Sequence, residues 1–228
     1  MSLWIDPHSR REDQTILRHL LREGDTYIDV GANIGHLLVE AGLAVGPVGH
    51  VYAFEPHPRI CQYLLENCKL NDLNNVSVAQ SAVSDSNRWV SFSDSNTDDQ
   101  NKVLTETSKD RAINTIAVRL EPYINEQQSV RVLKIDVEGY EIYALKGCGT
   151  ALTRVEFLLF EVWDGHLKRN DVEYKDIHNL LDEMGFLIFQ LDMVSKRALA
   201  VQRNQYFPEI TNLVACRNEQ ELHRALFS

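Results

Sequence analysis

Two acidic segments next to glycines carry the chemistry that can be read in this chain of 228 residues. In Asp29-Val-Gly-Ala-Asn-Ile-Gly35 an acid precedes two glycines, between an apolar run and a helical pattern. Gly31 and Gly35 lack a Cβ, so backbone can approach a ligand closely there. The helix that follows offers unpaired N–H groups at its start. The next apolar run ends in Glu55, at the distance where such folds place a carboxylate that accepts hydrogen bonds from both hydroxyls of a ribose. The glycine turn alone is also compatible with a plain strand-to-helix joint. Coupled to Glu55, it marks an adenosine-containing ligand.

The turn departs from the GxGxxG pattern of dinucleotide enzymes. Asn33 stands where the second glycine would admit a pyrophosphate, and Asp29 would set a negative charge beside it. No GK[ST] segment is present to hold a triphosphate. An acid at position 29 suits a ligand carrying an ammonium group, as the methionine part of S-adenosylmethionine does. The competing readings are a nucleotide-dependent oxidoreductase and a cofactor-binding protein without turnover.

The second segment, Asp136-Val-Glu-Gly139, follows an apolar run, and Glu161 approaches the end of the next one. Methyl transfer from a sulfonium needs alignment more than covalent help, and a hydroxyl acceptor must also lose its proton. Asp136, Glu138 and Glu161 could serve as base, as orienting groups or as a hard divalent site, although a metal is not the expectation. If the chain stays extended, Asp136 and Glu138 share a face. Glu138 is equally well read as a carboxylate favoured by a helix N-terminus. His36, His57 and His166 fall in loops at strand carboxyl ends, and His166, just beyond Glu161, is the expected general base. Trp163 and Asp164 either shape the acceptor pocket or serve packing and turn capping.

These positions require a scaffold of alternating strands and helices. A first helix is expected over Ser9–Glu23, then strands over Thr26–Val30, Val51–Glu55, Val76–Ser81, Val130–Ile135 and Val155–Val162. Helices are expected up to about Val45, over Pro58–Leu70, up to about Leu152, over Tyr174–Met184 and over Glu219–Phe227. Phe186–Asp192, Ala198–Gln202 and Leu213–Arg217 read as further strands. Trp89–Ser93 and Thr115–Leu120 read as an inserted edge element. The polar stretch over 94–112 reads as a mobile surface loop or as a lid. The alternation predicts an α/β, doubly wound, mostly parallel sheet of seven strands in one domain spanning 1–228, with an N-terminal helical segment over 1–24.

Hydrophobic residues make up 44% and charged residues 25%, a composition that folds as a globular domain. The formal charge of -10 opposes binding to nucleic acid or an anionic membrane. Without an apolar signal core or a run near the ~20 apolar residues a spanning helix needs, the sequence predicts a cytoplasmic protein. Cys61, Cys68, Cys148 and Cys216 form no CxxC pair and read as buried hydrophobes.

The chain resembles the FkbM family of class I methyltransferases. The matching segments are Asp29-Val-Gly-Ala-Asn-Ile-Gly35, Phe54-Glu-Pro-His-Pro58, Leu65-Glu-Asn67 with Asn71, Ala82-Val-Ser84, Leu133-Lys-Ile-Asp-Val-Glu-Gly139 with Ala144-Leu-Lys-Gly147, and Phe160-Glu-Val162. The resemblance implies a seven-stranded methyltransferase sheet that binds S-adenosyl-L-methionine. It implies cofactor contacts at Asp29, Gly31, Asn33, Gly35, Glu55 and Pro56, and adenine contacts near Ser81 and Ala82. It also implies that Asp136 and Glu138 face the methyl end, and that the acceptor is a hydroxyl of a small molecule such as a sugar or natural-product intermediate. Arg119-Leu-Glu-Pro-Tyr123 departs from the Leu-Asp-Asp-like stretch that the family often has there.

Overall fold

Tyr27 and Ile28 lie on opposite faces of strand β1 (Thr26–Val30), and both are fully buried. Two covered faces explain why the run is apolar throughout rather than alternating. The computed structural model describes residues 9–94, 102–104, 111–127 and 129–227, with side chains from Glu12 onward.

After β1 come α2 (His36–Val45), β2 (His50–Phe54), α3 (Pro58–Leu70) and β3 (Val76–Ala79). The chain then forms β4 (Ala82–Val83), β5 (Arg88–Ser93), β6 (Ala112–Val118) and the short α4 (Glu121–Asn125). Next are β7 (Val130–Ile135), α5 (Glu141–Cys148), a 3-10 turn over Gly149–Arg154, and β8 (Val155–Val162). The last third holds α6 (Asp164–Leu167), α7 (Tyr174–Glu183), β9 (Leu187–Asp192), β10 (Arg197–Ala200), β11 (Thr211–Cys216) and α8 (Glu219–Phe227). The first helix, α1 (Ser9–Leu20), stops short of Glu23, because the Arg22 N–H donates to the Asp25 carboxylate at 2.8 Å and the chain turns there.

The main sheet runs β10-β9-β11-β8-β7-β1-β2-β3. Neighbours from β8 to β3 are parallel, while β11, β9 and β10 pair antiparallel. The doubly wound, mostly parallel architecture is the expected one, and the β9–β10 hairpin adds an eighth strand at the edge. The expected edge element instead forms a separate sheet, β4-β6-β5. Its formation ends β3 at Ala79, since Ala82 and Val83 pair with Ala117 and Val118.

On one face of the main sheet Ile28, Leu133 and Ile135 pack with Leu145 of α5 and Leu181 of α7. On the other, Tyr27, Val51 and Val132 pack with Leu17 and Leu20 of α1, Leu38 of α2 and Leu222 of α8. All four cysteines are buried thiols. Among the described residues no helix is long and apolar enough to cross a membrane. Most of the loop expected over 94–112 lies outside the described residues. Of its described parts, Asp94 accepts from His57 at 3.2 Å and from Arg111 at 2.8 Å, and Val103 bridges to Phe92.

Candidate active site

The strand order reverses between β1 and β7, which is where ligands enter open parallel sheets, at the strand carboxyl ends. A crevice of about 740 Å³ opens there, within the size range of small-molecule sites. Its lining includes Asp29, Gly31, Asn33, Glu55, Pro56, Ser81, Ala82, Asp136, Glu138 and Glu161. Of the residues expected in the site, Gly35 and His166 are outside this lining. Gly35 starts α2, and His166 lies directly behind Glu138.

Glycine is required at position 31. The residue has φ 80°, and a Cβ would overlap the carbonyl oxygen of Asp136. The close approach lets the Asp136 N–H donate to the Val30 carbonyl at 3.0 Å, which ties the ends of β1 and β7 together. Asn33 has φ 51°, and its side-chain oxygen accepts the Ile34 N–H at 2.7 Å. Its own N–H donates to Glu55 Oε2 at 3.0 Å, while Glu55 Oε1 accepts from His57 at 2.9 Å. Burial pushes the Glu55 carboxyl up to about 7, against those two N–H donors.

Asp29 is 1% exposed. Burial raises its pKa, opposed by the ammonium of Lys134, whose Nζ stands 3.6 Å from Asp29 Oδ1 and 3.1 Å from Asp136 Oδ2. Burial works against the charge on Lys134, but Asp136 and Asp29 outweigh it and raise the lysine above its ordinary value. Asp29 Oδ1 and Ser81 Oγ are both buried, without a hydrogen-bond partner among the described residues. A buried polar atom short of a hydrogen bond is costly; Asp29 Oδ1 has only the 3.6 Å ion pair with Lys134, and both atoms belong to residues of the crevice wall. An adenosine ligand with an amino group would supply donors to both.

Beyond Ile135 the chain does not stay extended, because Glu138 takes φ 56°, in the left-handed region. Asp136 therefore turns to Lys134, and Glu138 turns to His166, whose Nδ1 is 3.0 Å from Glu138 Oε2 and 4.0 Å from Glu161 Oε1. The carboxylate serving the start of α5 is Glu141, which accepts the N–H groups of Val137 and Gly139. Burial first, then the charges of Asp136 and Glu141, push Glu138 up to about 7. Burial, then Asp136 and Glu138, push Glu161 up to about 9. Burial, then Arg169 and Lys102, bring His166 down to about 4. Gly139 seats the group, since its φ is 97° and a Cβ would collide with the His166 carbonyl.

Trp163 and Asp164 hold another segment. Trp163 Nε1 donates to the Pro208 carbonyl at 3.1 Å, and Asp164 accepts from the Phe207 N–H at 2.5 Å. Sequence reasoning missed Lys134, although it sits in an apolar strand two residues before Asp136 and so on the same face. It also missed the far wall, made by Glu12, Asp13 and Ile16 of α1 and by Glu209, Ile210 and Thr211 at the start of β11.

Residues 29–188 match the Methyltransferase FkbM domain. The chain belongs to the FkbM methyltransferase family. The FkbM chain is 34% identical to Hexuronic acid methyltransferase AglP of Haloferax volcanii over 179 residues, which span 76% of this chain and 69% of that protein. Its fold is shared by a SAM-dependent O-methyltransferase from Thermotoga maritima, with a TM-score of 0.53 at 14% identity over 96% of this chain and 69% of that one. It is shared too by SMU.1697c of Streptococcus mutans, solved in complex with SAH, with a TM-score of 0.52 at 13% identity over 93% of this chain and 99% of that one. Family membership makes the chain a SAM-dependent methyltransferase.

Proposed function

We propose that this FkbM methyltransferase methylates a hydroxyl oxygen of a small molecule, a sugar or natural-product intermediate. The carrying observation is that one crevice joins the adenosine-type cradle of Asp29, Gly31, Asn33 and Glu55 to the carboxylates Asp136, Glu138 and Glu161. The similarity to a hexuronic acid methyltransferase supports a sugar acceptor. The formal charge of -10 argues against a nucleic acid partner. The same reading places the protein in the cytoplasm, a reducing compartment that suits its four thiols.

When bound, S-adenosylmethionine supplies an electrophilic methyl group on a sulfonium. Asp29 would accept from the amino end of the ligand and Glu55 from the ribose hydroxyls, while Ser81 and Ala82 would flank the adenine. Lys134 bridges Asp29 and Asp136, its Nζ 3.6 Å from one carboxylate and 3.1 Å from the other. Alignment of the acceptor oxygen against the methyl is the main contribution, worth up to ~7–11 kcal/mol. Glu138 takes the hydroxyl proton, His166 orients Glu138 across their 3.0 Å contact, and Glu161 holds the acceptor.

The test is mass spectrometry of neutral sugars, amino sugars and hexuronic acids incubated with the enzyme and isotopically labelled methyl donor. The reading predicts one labelled methyl on oxygen in at least one sugar class, lost in Glu138→Gln. Label on nitrogen only, or no transfer to any acceptor in a cell extract, contradicts it, and the second result favours a cofactor-binding protein without turnover.

A further inference from the structure

The methyl end of the crevice is short of positive charge. Eight carboxylate residues line the cavity against a single lysine. That lysine, Lys134, is already engaged by Asp29 and Asp136. Lys102 and Arg169 act on His166 and Glu138 from nearby, but neither belongs to the crevice lining, and the Arg169 guanidinium lies 5.6 Å over the Trp163 ring. The same site is read above as receiving a sugar, and a hexuronic acid would add a further negative charge to it.

One group in this acidic wall is a mixed donor set. Glu138, Glu161 and His166 each offer one ligand atom, and these atoms lie within 4.8 Å of one another. Nδ1 of His166 is 3.0 Å from Glu138 and 4.0 Å from Glu161. Oxygen and nitrogen ligands about 2.1 Å from a cation stand ~3.0 Å apart when adjacent and ~4.2 Å apart when opposite, a range that includes the 3.0 and 4.0 Å separations. The His166 side chain is 9% exposed, and its backbone is pinned by Gly139. Its only ion-pair neighbours among the described residues are these two carboxylates. Neither the Glu138 nor the Glu161 carboxylate accepts a hydrogen bond from an N–H of any other described residue. Both carboxylates line the crevice, so an ion has a path in.

We infer that Glu138, Glu161 and His166 form a binding site for one divalent cation of the Mg²⁺ or Mn²⁺ class, which holds an oxygen of the acceptor. Two carboxylates with one imidazole suit such a hard-to-borderline ion. The ion takes the place of the proton between His166 and Glu138. Each carboxylate gives it one oxygen and keeps the second, so Glu138 can still receive the acceptor's proton. The cation also offsets the charge that would repel an acidic sugar. The inference rests on reading this crevice as the acceptor site.

The test is a Mn²⁺ titration of the EDTA-treated full chain, followed by the electron paramagnetic resonance signal of free Mn²⁺, with no cofactor or sugar present. One Mn²⁺ per chain is expected, with affinity lowered at least ~10-fold in Glu161→Gln and in His166→Asn. Calorimetry with S-adenosylhomocysteine in EDTA checks that each variant is folded, and its affinity should stay within about twofold of the unmodified chain. Absence of a stoichiometric Mn²⁺ site overturns the inference, as does unchanged Mn²⁺ affinity in both folded variants. Methyl transfer undiminished by EDTA overturns it too. The cofactor titration is independent of the metal, so loss of S-adenosylhomocysteine binding would strike the reading of the crevice itself.

Discussion

Glu55 satisfies two backbone N–H groups with its two oxygens, and burial still raises it to about 7 from an ordinary 4.5. Glu141 is raised to about 7 in the same way. Because their folded values are raised, the folded state favours the protonated acids. The stability they contribute is full below about 4.5 and is lost as pH rises through about 7. The melting temperature of the ligand-free chain, measured by calorimetry, should therefore rise as pH is lowered from about 8 to about 6. Cofactor affinity should move the other way, since the ribose hydroxyls donate to ionised Glu55. Below about 7, affinity for S-adenosylhomocysteine is expected to fall by up to ~10-fold per pH unit. Glu55→Gln should cost ~10- to 100-fold in affinity and flatten that dependence, because a hydrogen bond to a charged group contributes about 1.5–3 kcal/mol. A variant with unchanged affinity would show that Glu55 does not hold the ligand.

At the scale of elements, the joint between β7 and α5 sets the chemistry. Gly139 permits α6 to press its His166 carbonyl against the turn, and Glu138 points back at the imidazole. Gly139→Ala should lower stability by about 1–3 kcal/mol in urea denaturation and reduce methyl transfer more than it reduces cofactor affinity. Equal losses of both would mean that the joint serves packing alone. Most of these elements can be read in the sequence, because β1, β2, β7 and β8 are short apolar runs each followed by a helical period. The carboxylates were legible because each lies in the last residues of such a run or just beyond it. The turn at Glu138 was not, since a left-handed residue in a Val-Glu-Gly stretch has no composition signal. Lys134 was hidden by the apolar strand around it, and its role depends on Asp29 from a different strand.

Across the whole molecule, the crevice is closed by parts far apart in the chain. Asn212 on β11 donates to Asp13 on α1 at 3.2 Å, across 199 positions. No local periodicity predicts such a contact, so the far wall of the crevice could not be read from the sequence, and neither could the separate sheet of β4, β5 and β6. The acidic balance also acts at this scale. With a formal charge of -10, the chain should show no binding to a structured RNA at physiological salt in fluorescence polarisation. Affinity that falls steeply as salt is added would contradict this and point to a nucleic acid acceptor.

The most direct test of the account is a crystal structure of the full chain with S-adenosylhomocysteine. The amino group is predicted to lie on Asp29 and the ribose on Glu55, with the sulfur turned toward Asp136 and Glu138. A ligand bound elsewhere, or bound in the crevice with its sulfur facing away from those carboxylates, would contradict it.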